Sequence, residues 1–485
     1  MSENEALKNC VGGEWHEPST SDALPVTNPA SGATIAQVPL SGEDDVNRAV
    51  EAARQAYPSW RSTPPVERAR VLFNLQALIQ RDFQALATTI VLEHGKTLDE
   101  ARGEMQRTLE NVEAAAGTPA LMMGYGAEDI AAGIDEECVP QPLGVFCGIA
   151  PFNFPSMVPY WYLPWAIACG NTYVIKPSEL CPISQVQLLE LMHEAGLPPG
   201  VVNLVHGDGR AAEALAAHED VAGVSFVGST PVARSVYSAA GALGKRAQCQ
   251  GGAKNCLTVL PDAPLAATVD AIVGSAFGCA GQRCLAGSLV IAVGDRYDEL
   301  RDAIAAAAGA MRVGDGLDPA TDMGPVVSQA ARERVERYIN IGTGEGANLI
   351  LDGRGVTVEG RPDGYYIAPT VFDGVTPGME IARDEIFGPV LGIIRVASLD
   401  EAVETINRMP YGNMASLFTS DGGAARTFKH EVACGNIGIN IGVAAPVPMF
   451  PFSGMKQSFF GDLHGQGRDA IRFFTEHKVV ISRWF

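Results

Sequence analysis

The sequence lacks an apolar run long enough to cross a membrane. The longest candidate, residues 157–170, contains two prolines and is shorter than the roughly 20 residues that a spanning helix needs. The N-terminal residues MSENEALKNC lack the basic and apolar regions of a secretory signal and the Arg- and Ser-rich composition of a transit peptide. We therefore expect a cytoplasmic protein with no membrane partner.

Paired cysteine motifs are also missing. The ten cysteines are scattered, with no CxxC pair and no matching histidine spacing, which argues against a metal site and against a disulfide framework. Such cysteines are typical of a reducing compartment. Cys279 and Cys284 are close enough in sequence to oxidise together, but Cys279 packing inside a helix is the simpler interpretation.

Positive charge is scarce. Thirty-five Lys and Arg face 56 Asp and Glu, giving a net charge of -21 and a sequence pI near 4.8. Because nucleic-acid binding needs a basic face, this balance argues against a nucleic-acid partner. An anionic ligand must then be bound by a few local Arg, Lys or backbone N–H groups.

The 485 residues, 47% of them hydrophobic, exceed the size at which a single core stops growing, so we expect at least two domains. Helical periodicity begins at SGEDDVNRAV, with Ser41 or Asp44 as the expected N-cap. Short apolar strands then alternate with helices, first in VFCGIAP, TYVIKPS, VVNLVHG, GVSFVGS and RAQCQGG and later in a second set after residue 250. This alternation predicts an α/β protein with a doubly wound parallel sheet and a separate second α/β domain. Residues 122–137 suggest a β-ribbon at a subunit contact, and the tail EHKVVISRWF suggests a strand that pairs outside its own domain.

A candidate nucleophile lies in GSAFGCAGQRCLAGS, where a helix pattern runs into the strand LVIAV. Cys284 at this junction can lie at the floor of a cleft with backbone N–H groups pointing at it. Catalytic cysteines need such surroundings, because the reactive species is the thiolate and a free thiol has a pKa of about 8.5. A buried cysteine with no reactivity is the competing interpretation.

Two strand ends carry candidate coenzyme residues. Lys176 and Glu179, in KPSE, can reach the hydroxyls of an adenosine ribose, and an acid at this place favours NAD over NADP. Ser229 follows Gly228 in FVGST, where the backbone and a helix N-terminus can approach a pyrophosphate. Both motifs could equally be ordinary turns.

Two further loops hold polar side chains beside aromatic ones. Asn153, in PFNFP, could donate to an oxyanion or could be a turn asparagine. Glu385, in EIFGPV, could bind a second ribose or could cap a strand.

Taken together and in this order, PFNFP, KPSE, FVGST, GGAK, FGCAGQRC, EIFGPV and FSG resemble the aldehyde dehydrogenase superfamily over nearly the whole length. The resemblance implies that Cys284 is the nucleophile and that Asn153 and the Cys284 N–H form the oxyanion hole. It also implies a coenzyme domain at 1–118 and 141–250, a catalytic domain at 251–459 and a bridging, oligomerisation element at 119–140 and 460–485. The NAD site implied by the same resemblance comprises Ala150, Phe152, Lys176, Glu179, Leu180, Ser229, Gly251, Glu385 and Phe387.

One position departs from the common pattern. Hydrolytic members of the superfamily have an acid where this chain has Gln250, and a carboxamide cannot act as the base that activates water. The GAKN and FGxAGQRC motifs are similar to the CoA-acylating methylmalonate-semialdehyde dehydrogenase subgroup, which usually has asparagine at position 250 and methionine at position 251. This resemblance implies that coenzyme A (CoA) takes the acyl group.

The expected reaction is therefore NAD-dependent, CoA-acylating oxidation of methylmalonate or malonate semialdehyde, with loss of CO2 to give propionyl-CoA or acetyl-CoA. Arg107, Arg283 and Phe452 are the expected substrate residues, although Arg107 could be a solvated helix residue. The resemblance also implies a homodimer or homotetramer. Two alternatives stay open: a hydrolytic dehydrogenase acting on an anionic aldehyde, and a non-catalytic binding or structural relative.

Overall fold

The computed structural model describes residues 6–485, so residues 1–5 of the predicted coenzyme domain lie outside the described residues. Strands and helices alternate along most of the chain. The strands are β1 (Asn9–Val11), β2 (Glu14–His16), β3 (Ala23–Thr27), β4 (Thr34–Pro39), β5 (Tyr125–Ala131), β6 (Ile134–Pro142), β7 (Val145–Ile149), β8 (Thr172–Lys176), β9 (Val202–Leu204), β10 (Val221–Val227), β11 (Arg246–Gln250), β12 (Asn255–Val259), β13 (Gly287–Val293), β14 (Asn348–Leu351), β15 (Thr370–Asp373), β16 (Val390–Val396), β17 (Tyr411–Gly412), β18 (Met414–Phe418), β19 (Asn436–Ile439), β20 (Met455–Lys456), β21 (Phe459–Gly461) and β22 (Thr475–Arg483).

The α-helices follow the same chain order, and a 3-10 turn, Gly278–Gly281, lies between two of the longer elements. The helices are α1 (Glu43–Ser62), α2 (Pro65–Arg81), α3 (Phe83–His94), α4 (Leu98–Ala116), α5 (Thr118–Leu121), α6 (Met157–Tyr160), α7 (Leu163–Cys169), α8 (Ile183–Glu194), α9 (Gly209–Ala217), α10 (Thr230–Ala242), α11 (Leu265–Phe277), α12 (Tyr297–Gly309), α13 (Gln329–Gly344), α14 (Glu380–Arg383), α15 (Leu399–Arg408), α16 (Gly422–Glu431) and α17 (Gly467–Phe474).

Two large sheets organise the described part of the chain. The first has the order β2-β1-β9-β8-β7-β10-β11-β21; its five central strands are parallel, and β1 and β21 pair antiparallel at the two sides. The second has the order β14-β15-β16-β13-β12-β18-β19 and is parallel except for β14. The predicted α/β architecture is confirmed.

Strand β7 shows why its sequence is apolar throughout. Val145, Cys147 and Ile149 pack into one hydrophobic cluster, whereas Phe146 points to the opposite side of the sheet and packs into the other. Because helices cover both faces of a doubly wound sheet, its central strands are buried on both sides. The carboxyl ends of β7, β8 and β10 are thereby held at one edge, where such sheets bind ligands.

The predicted ribbon is present. Strands β5, β6 and β22 form a three-stranded antiparallel sheet, in which Val480 of the tail lies opposite Glu137. Its outward side chains include Tyr125 and Ile481, which are 75% and 67% exposed. No helix in residues 6–485 is both long and apolar enough to cross a membrane.

The prediction that Ser41 or Asp44 caps α1 is wrong. The N-cap is Gly42, without a side-chain hydrogen bond, and the Ser41 hydroxyl accepts instead from Asn9 Nδ2 at 2.9 Å. A contact from distant β1 thus outweighs the local capping preference. Cys279 is buried as expected, but in the 3-10 turn with φ 51°, not inside a helix.

Candidate active site

Cys284 lies where the 3-10 turn leads into β13. Two carboxamides hold its carbonyl oxygen: Asn255 Nδ2 donates at 2.9 Å and Asn413 Nδ2 at 2.7 Å. The N–H groups of Cys284 and Leu285 point towards the sulfur, as the sequence predicted. Cys284 is half-buried, whereas the other nine cysteines are buried.

The Cys284 thiol is protonated at rest. Burial is the main cause that raises its pKa to about 12, and the negative charge of Glu385 adds to the rise. The two backbone N–H groups and Arg283 oppose it. The nucleophile therefore needs a base, or a positive charge brought by a ligand, before it can react.

Asn153 lies in the loop after β7 and is 3% exposed. Its Nδ2 donates to the Gln282 carbonyl at 3.0 Å, which ties it to the nucleophile loop. A carboxamide nitrogen has two hydrogens, so one remains for an oxyanion. Asn153 and Cys284 line the same cavity, an arrangement suited to stabilising a tetrahedral adduct on the sulfur.

Two cavities meet at Cys284, which is the one described residue that lines both. The larger encloses about 1140 Å³ beside the carboxyl ends of β7, β8 and β10. All nine predicted coenzyme residues lie on its wall, namely Ala150, Phe152, Lys176, Glu179, Leu180, Ser229, Gly251, Glu385 and Phe387.

The surroundings of this cavity fit a dinucleotide. Ser229 precedes α10 but makes no side-chain cap, so its hydroxyl and the first N–H groups of the helix are left for an anion. A Cβ on Gly252 would lie 2.6 Å from Glu385 Oε2, so a larger residue there would displace the Glu385 carboxylate. Phe152 and Phe387 meet edge to face, with ring centroids 5.8 Å apart, and line the same cavity as Cys284.

Lys176 makes more hydrogen bonds within the protein than the sequence suggested. Its ammonium donates to the carbonyls of Pro177 and Gly207 at 2.9 and 2.6 Å and to Glu179 Oε2 at 3.3 Å. The Glu179 side chain is 35% exposed. Since the ammonium has three hydrogens, Lys176 holds the strand end together, and Glu179 is the group free to accept from a ribose.

The smaller cavity, about 480 Å³, lies on the other side of Cys284 and includes all three predicted substrate residues, Arg107, Arg283 and Phe452. Arg107 is paired with Glu110 at 2.7 Å. Arg283 is paired with Glu100 at 3.0 Å, and its Nε donates to Cys279 Sγ at 3.3 Å. Of the two cations, Arg107 has fewer internal partners and is the better candidate for binding a carboxylate.

Several residues that shape the site were missed by sequence reasoning. Trp161 stacks on Phe452 with ring centroids 4.2 Å apart. Gln466 reaches the substrate cavity from a left-handed backbone, φ 71°, and its buried Oε1 has no hydrogen-bond partner among the described residues. Lys96 and Glu104 support the Asn153 loop from behind. The repeated aromatics of PYWYLPW were the only signal for Trp161, and nothing local marked the other three.

Gln250 lies on the wall of neither cavity. It is 3% exposed, and its Nε2 donates to the Phe452 carbonyl at 2.9 Å. The carboxylate beside the thiol is Glu385, which accepts from the Ala253 N–H at 3.0 Å. Burial raises the pKa of Glu385 to about 7. No group of three or more potential metal-ligating side chains occurs in residues 6–485.

Residues 15–480 match the protein-family model described as the aldehyde dehydrogenase family. The chain belongs to the aldehyde dehydrogenase family. It is therefore an oxidoreductase with the aldehyde dehydrogenase fold, and the resemblance in its motifs is confirmed.

Curated relatives cover nearly the same length as this aldehyde dehydrogenase. A malonate-semialdehyde dehydrogenase from Geobacillus thermodenitrificans is 49% identical over 99% of both chains. One from Geobacillus kaustophilus is 48% identical over 99% of both chains.

Two solved structures superimpose on nearly the whole chain. A candidate methylmalonate-semialdehyde dehydrogenase from Sinorhizobium meliloti 1021, complexed with NAD, superimposes with a TM-score of 0.98, at 41% identity over 100% of this chain and 99% of the other. The methylmalonate-semialdehyde dehydrogenase from Oceanimonas doudoroffii has a TM-score of 0.97, at 43% identity over 99% of this chain and 98% of that one.

Proposed function

We propose that this aldehyde dehydrogenase oxidises a small carboxylated aldehyde, malonate or methylmalonate semialdehyde, with NAD and passes the acyl group to CoA. The observation that carries the proposal is the Gln250 side chain. It has no carboxylate and is tied to the Phe452 carbonyl, so the base of hydrolytic family members has no counterpart at this position.

The residues divide the work between the two cavities. Glu179, Ser229 and Glu385 would hold NAD in the larger cavity, and NAD, when bound, accepts the hydride. Arg107 would hold the carboxylate of the substrate in the smaller cavity, because a guanidinium forms strong, directional bonds to carboxylates. The aldehyde carbon is then brought to Cys284 where the cavities meet.

Cys284 passes its proton to solvent and its thiolate adds to the aldehyde carbon, and the Asn153 amide and the Cys284 N–H stabilise the oxyanion left when the carbonyl π bond opens. Loss of the hydride leaves a thioester on Cys284. Breaking the bond to the carboxylate releases CO2, and the carbon that keeps the electron pair takes a proton. CoA thiolate then displaces Cys284 and gives acetyl-CoA or propionyl-CoA.

A specific observation favours one alternative, with water as acyl acceptor. Glu385 lines the same cavity as Cys284, and its pKa of about 7 would suit a general base at neutral pH. In that reading Glu385 activates water and the product is a free acid. The third reading, a non-catalytic relative, is disfavoured because the thiol and the amide meet in one cavity.

The two enzymatic readings are separated by a panel of semialdehydes with NAD, with and without CoA, followed by mass spectrometry of the products. We expect NADH formation to rise with CoA and the product to be a thioester. An equal rate without CoA, with a free acid as product, would establish the hydrolytic alternative. Failure of every semialdehyde in the panel would reject the proposed substrate class.

We also propose the division expected from the sequence, with a coenzyme domain at 1–118 and 141–250, a catalytic domain at 251–459 and a bridging element at 119–140 and 460–485. The exposed apolar side chains on the ribbon, Val479 and Ile481 among them, suit contact with another copy in a homodimer or homotetramer. Ten free cysteines are compatible with a reducing cytoplasm. Sedimentation analysis tests the assembly.

A further inference from the structure

Lys96 and Glu104 form a fully buried ion pair behind the active site. Lys96 Nζ lies 2.6 Å from Glu104 Oε2, and both side chains are 0% exposed. Burial alone would lower the pKa of Lys96, but the Glu104 carboxylate, together with nearby Cys279 and Glu100, more than offsets this and the pKa is raised. A buried pair is costly to desolvate and needs further hydrogen bonds to be stable.

Those further bonds go to the loop that carries Asn153. Lys96 Nζ donates to the Asn153 carbonyl at 2.8 Å and lies 4.0 Å above the Phe154 ring. Glu104 Oε1 accepts from the N–H groups of Ser156 at 2.8 Å and Met157 at 3.2 Å. The Lys96 ammonium therefore holds the loop at Asn153, and the Glu104 carboxylate holds it at Ser156 and Met157.

Helix α4, which carries Glu104, also holds the loop that carries Cys284. Glu100 lies one turn before Glu104 on α4, and side chains four residues apart share one helix face. Glu100 Oε1 accepts from the Cys279 N–H at 2.6 Å and pairs with Arg283, next to Cys284. A capping box of Thr97 and Glu100 fixes the first turn of α4. The helix thus fixes the distance between the two loops.

We propose that Lys96 and Glu104 are positioning residues that set the Asn153 amide against Cys284 before substrate binds. They touch neither cavity and act through the loop that they hold. The inference rests on the oxyanion role of Asn153 in the proposed function. It does not depend on whether CoA or water takes the acyl group, since the oxyanion forms before either acts.

The test is a double-mutant cycle on the first turnover. Glu104→Gln, Lys96→Met, Asn153→Ala and the combination of Glu104→Gln with Asn153→Ala are mixed with NAD and aldehyde, and the NADH burst is timed. An oxyanion donor is worth roughly 10²–10³-fold in rate, and a 1 Å displacement costs on the order of 10²-fold. We expect each single variant to slow the burst at least ~10-fold and the double variant to match Asn153→Ala within about twofold.

Asp45→Asn is the matched control. Asp45 is also a buried carboxylate, 1% exposed, and accepts a backbone N–H from Ser19 at 3.1 Å, but it lies on α1 outside both cavities. We expect its burst rate to be unchanged even if its melting temperature falls. A merely structural role for Glu104 would give the same pattern, a lower melting temperature with an unchanged burst, and would overturn the proposal.

Multiplicative losses in the double variant would also overturn the proposal, because they would show that Glu104 acts without Asn153. If Glu104→Gln does not fold, the neutral pair Lys96→Met with Glu104→Leu replaces it, since apolar replacement of a buried pair commonly preserves folding. The loop then lacks its charged anchors, and the same slow burst is expected. A normal burst from that folded variant would reject the idea.

An absent burst in the unmodified protein with every aldehyde would instead indicate failure of the proposed function.

Discussion

The Gln250 amide and the Phe452 carbonyl are 2.9 Å apart, and this bond joins the end of β11 to the wall of the substrate cavity. A glutamate at position 250 could not donate to that carbonyl, and repulsion would turn the side chain away. The bond therefore fixes an inert group at the position where hydrolytic relatives have a base.

Gln250→Glu should convert part of the reaction to hydrolysis. A positioned general base contributes roughly 10²–10⁴-fold, so we expect NADH formation without CoA to rise at least ~10-fold over the unmodified protein. The measurement is steady-state NADH production with the free acid quantified by mass spectrometry. An unchanged CoA dependence would show that the carboxylate does not reach the thioester.

Arg107→Leu should weaken binding of carboxylated aldehydes. Hydrogen bonds to a charged group are worth about 1.5–3 kcal/mol, so KM for a semialdehyde should rise ~10- to 100-fold, while KM for propanal stays the same. Arg102→Leu is the control, because Arg102 lies on the same helix but pairs with Asp99 outside the cavity. Equal effects on both aldehydes would contradict a carboxylate-binding role.

The rate of Cys284 alkylation should depend on pH as expected for a thiol with a high pKa. With a thiol pKa of about 12, the rate with iodoacetamide in NAD-free protein should climb steadily as pH rises from 7 to 10, with no plateau. Glu385→Gln should accelerate labelling about 2- to 10-fold at fixed pH, because removing a negative charge lowers the thiol pKa and a shift of one unit is tenfold. Slower labelling of that variant would show that the Glu385 charge does not raise the pKa of the Cys284 thiol.

Glu179→Gln should reduce the preference for NAD over NADP. The carboxylate can accept from a ribose hydroxyl and repels a 2′-phosphate, so we expect the kcat/KM ratio of NADP to NAD to rise about 10-fold. Exposed Glu219, changed to glutamine, controls for loss of surface charge. If both variants shift the ratio equally, the effect comes from net charge and not from the ribose site.

The parallel strands, and the place of Lys176 and Ser229 at their ends, could be predicted from sequence because KPSE and FVGST each follow a strand. Glu385 and Phe387 precede β16, so strand ends did not indicate their place on the same wall. Strand ends in a doubly wound sheet share one edge, so Lys176 and Ser229 had to meet there. Arg283 lies on the wall of the smaller cavity, but its pairing with Glu100 depends on α4, a helix whose register against the nucleophile loop no local pattern specifies. No local pattern marked Lys96 or Glu104 for the same reason. Ser41 does not cap α1 because its hydroxyl accepts from Asn9 of a distant strand.

The ribbon has a consequence for how the protein is made. Strand β6 can complete its pairing only when β22 arrives, and β22 leaves the ribosome after both large sheets have been synthesised. At translation speeds of about 5–20 residues per second, β6 waits for tens of seconds with one edge open. Any assembly that uses the finished ribbon must begin after release of this segment, and nascent chains held near one another risk pairing through the open edge instead.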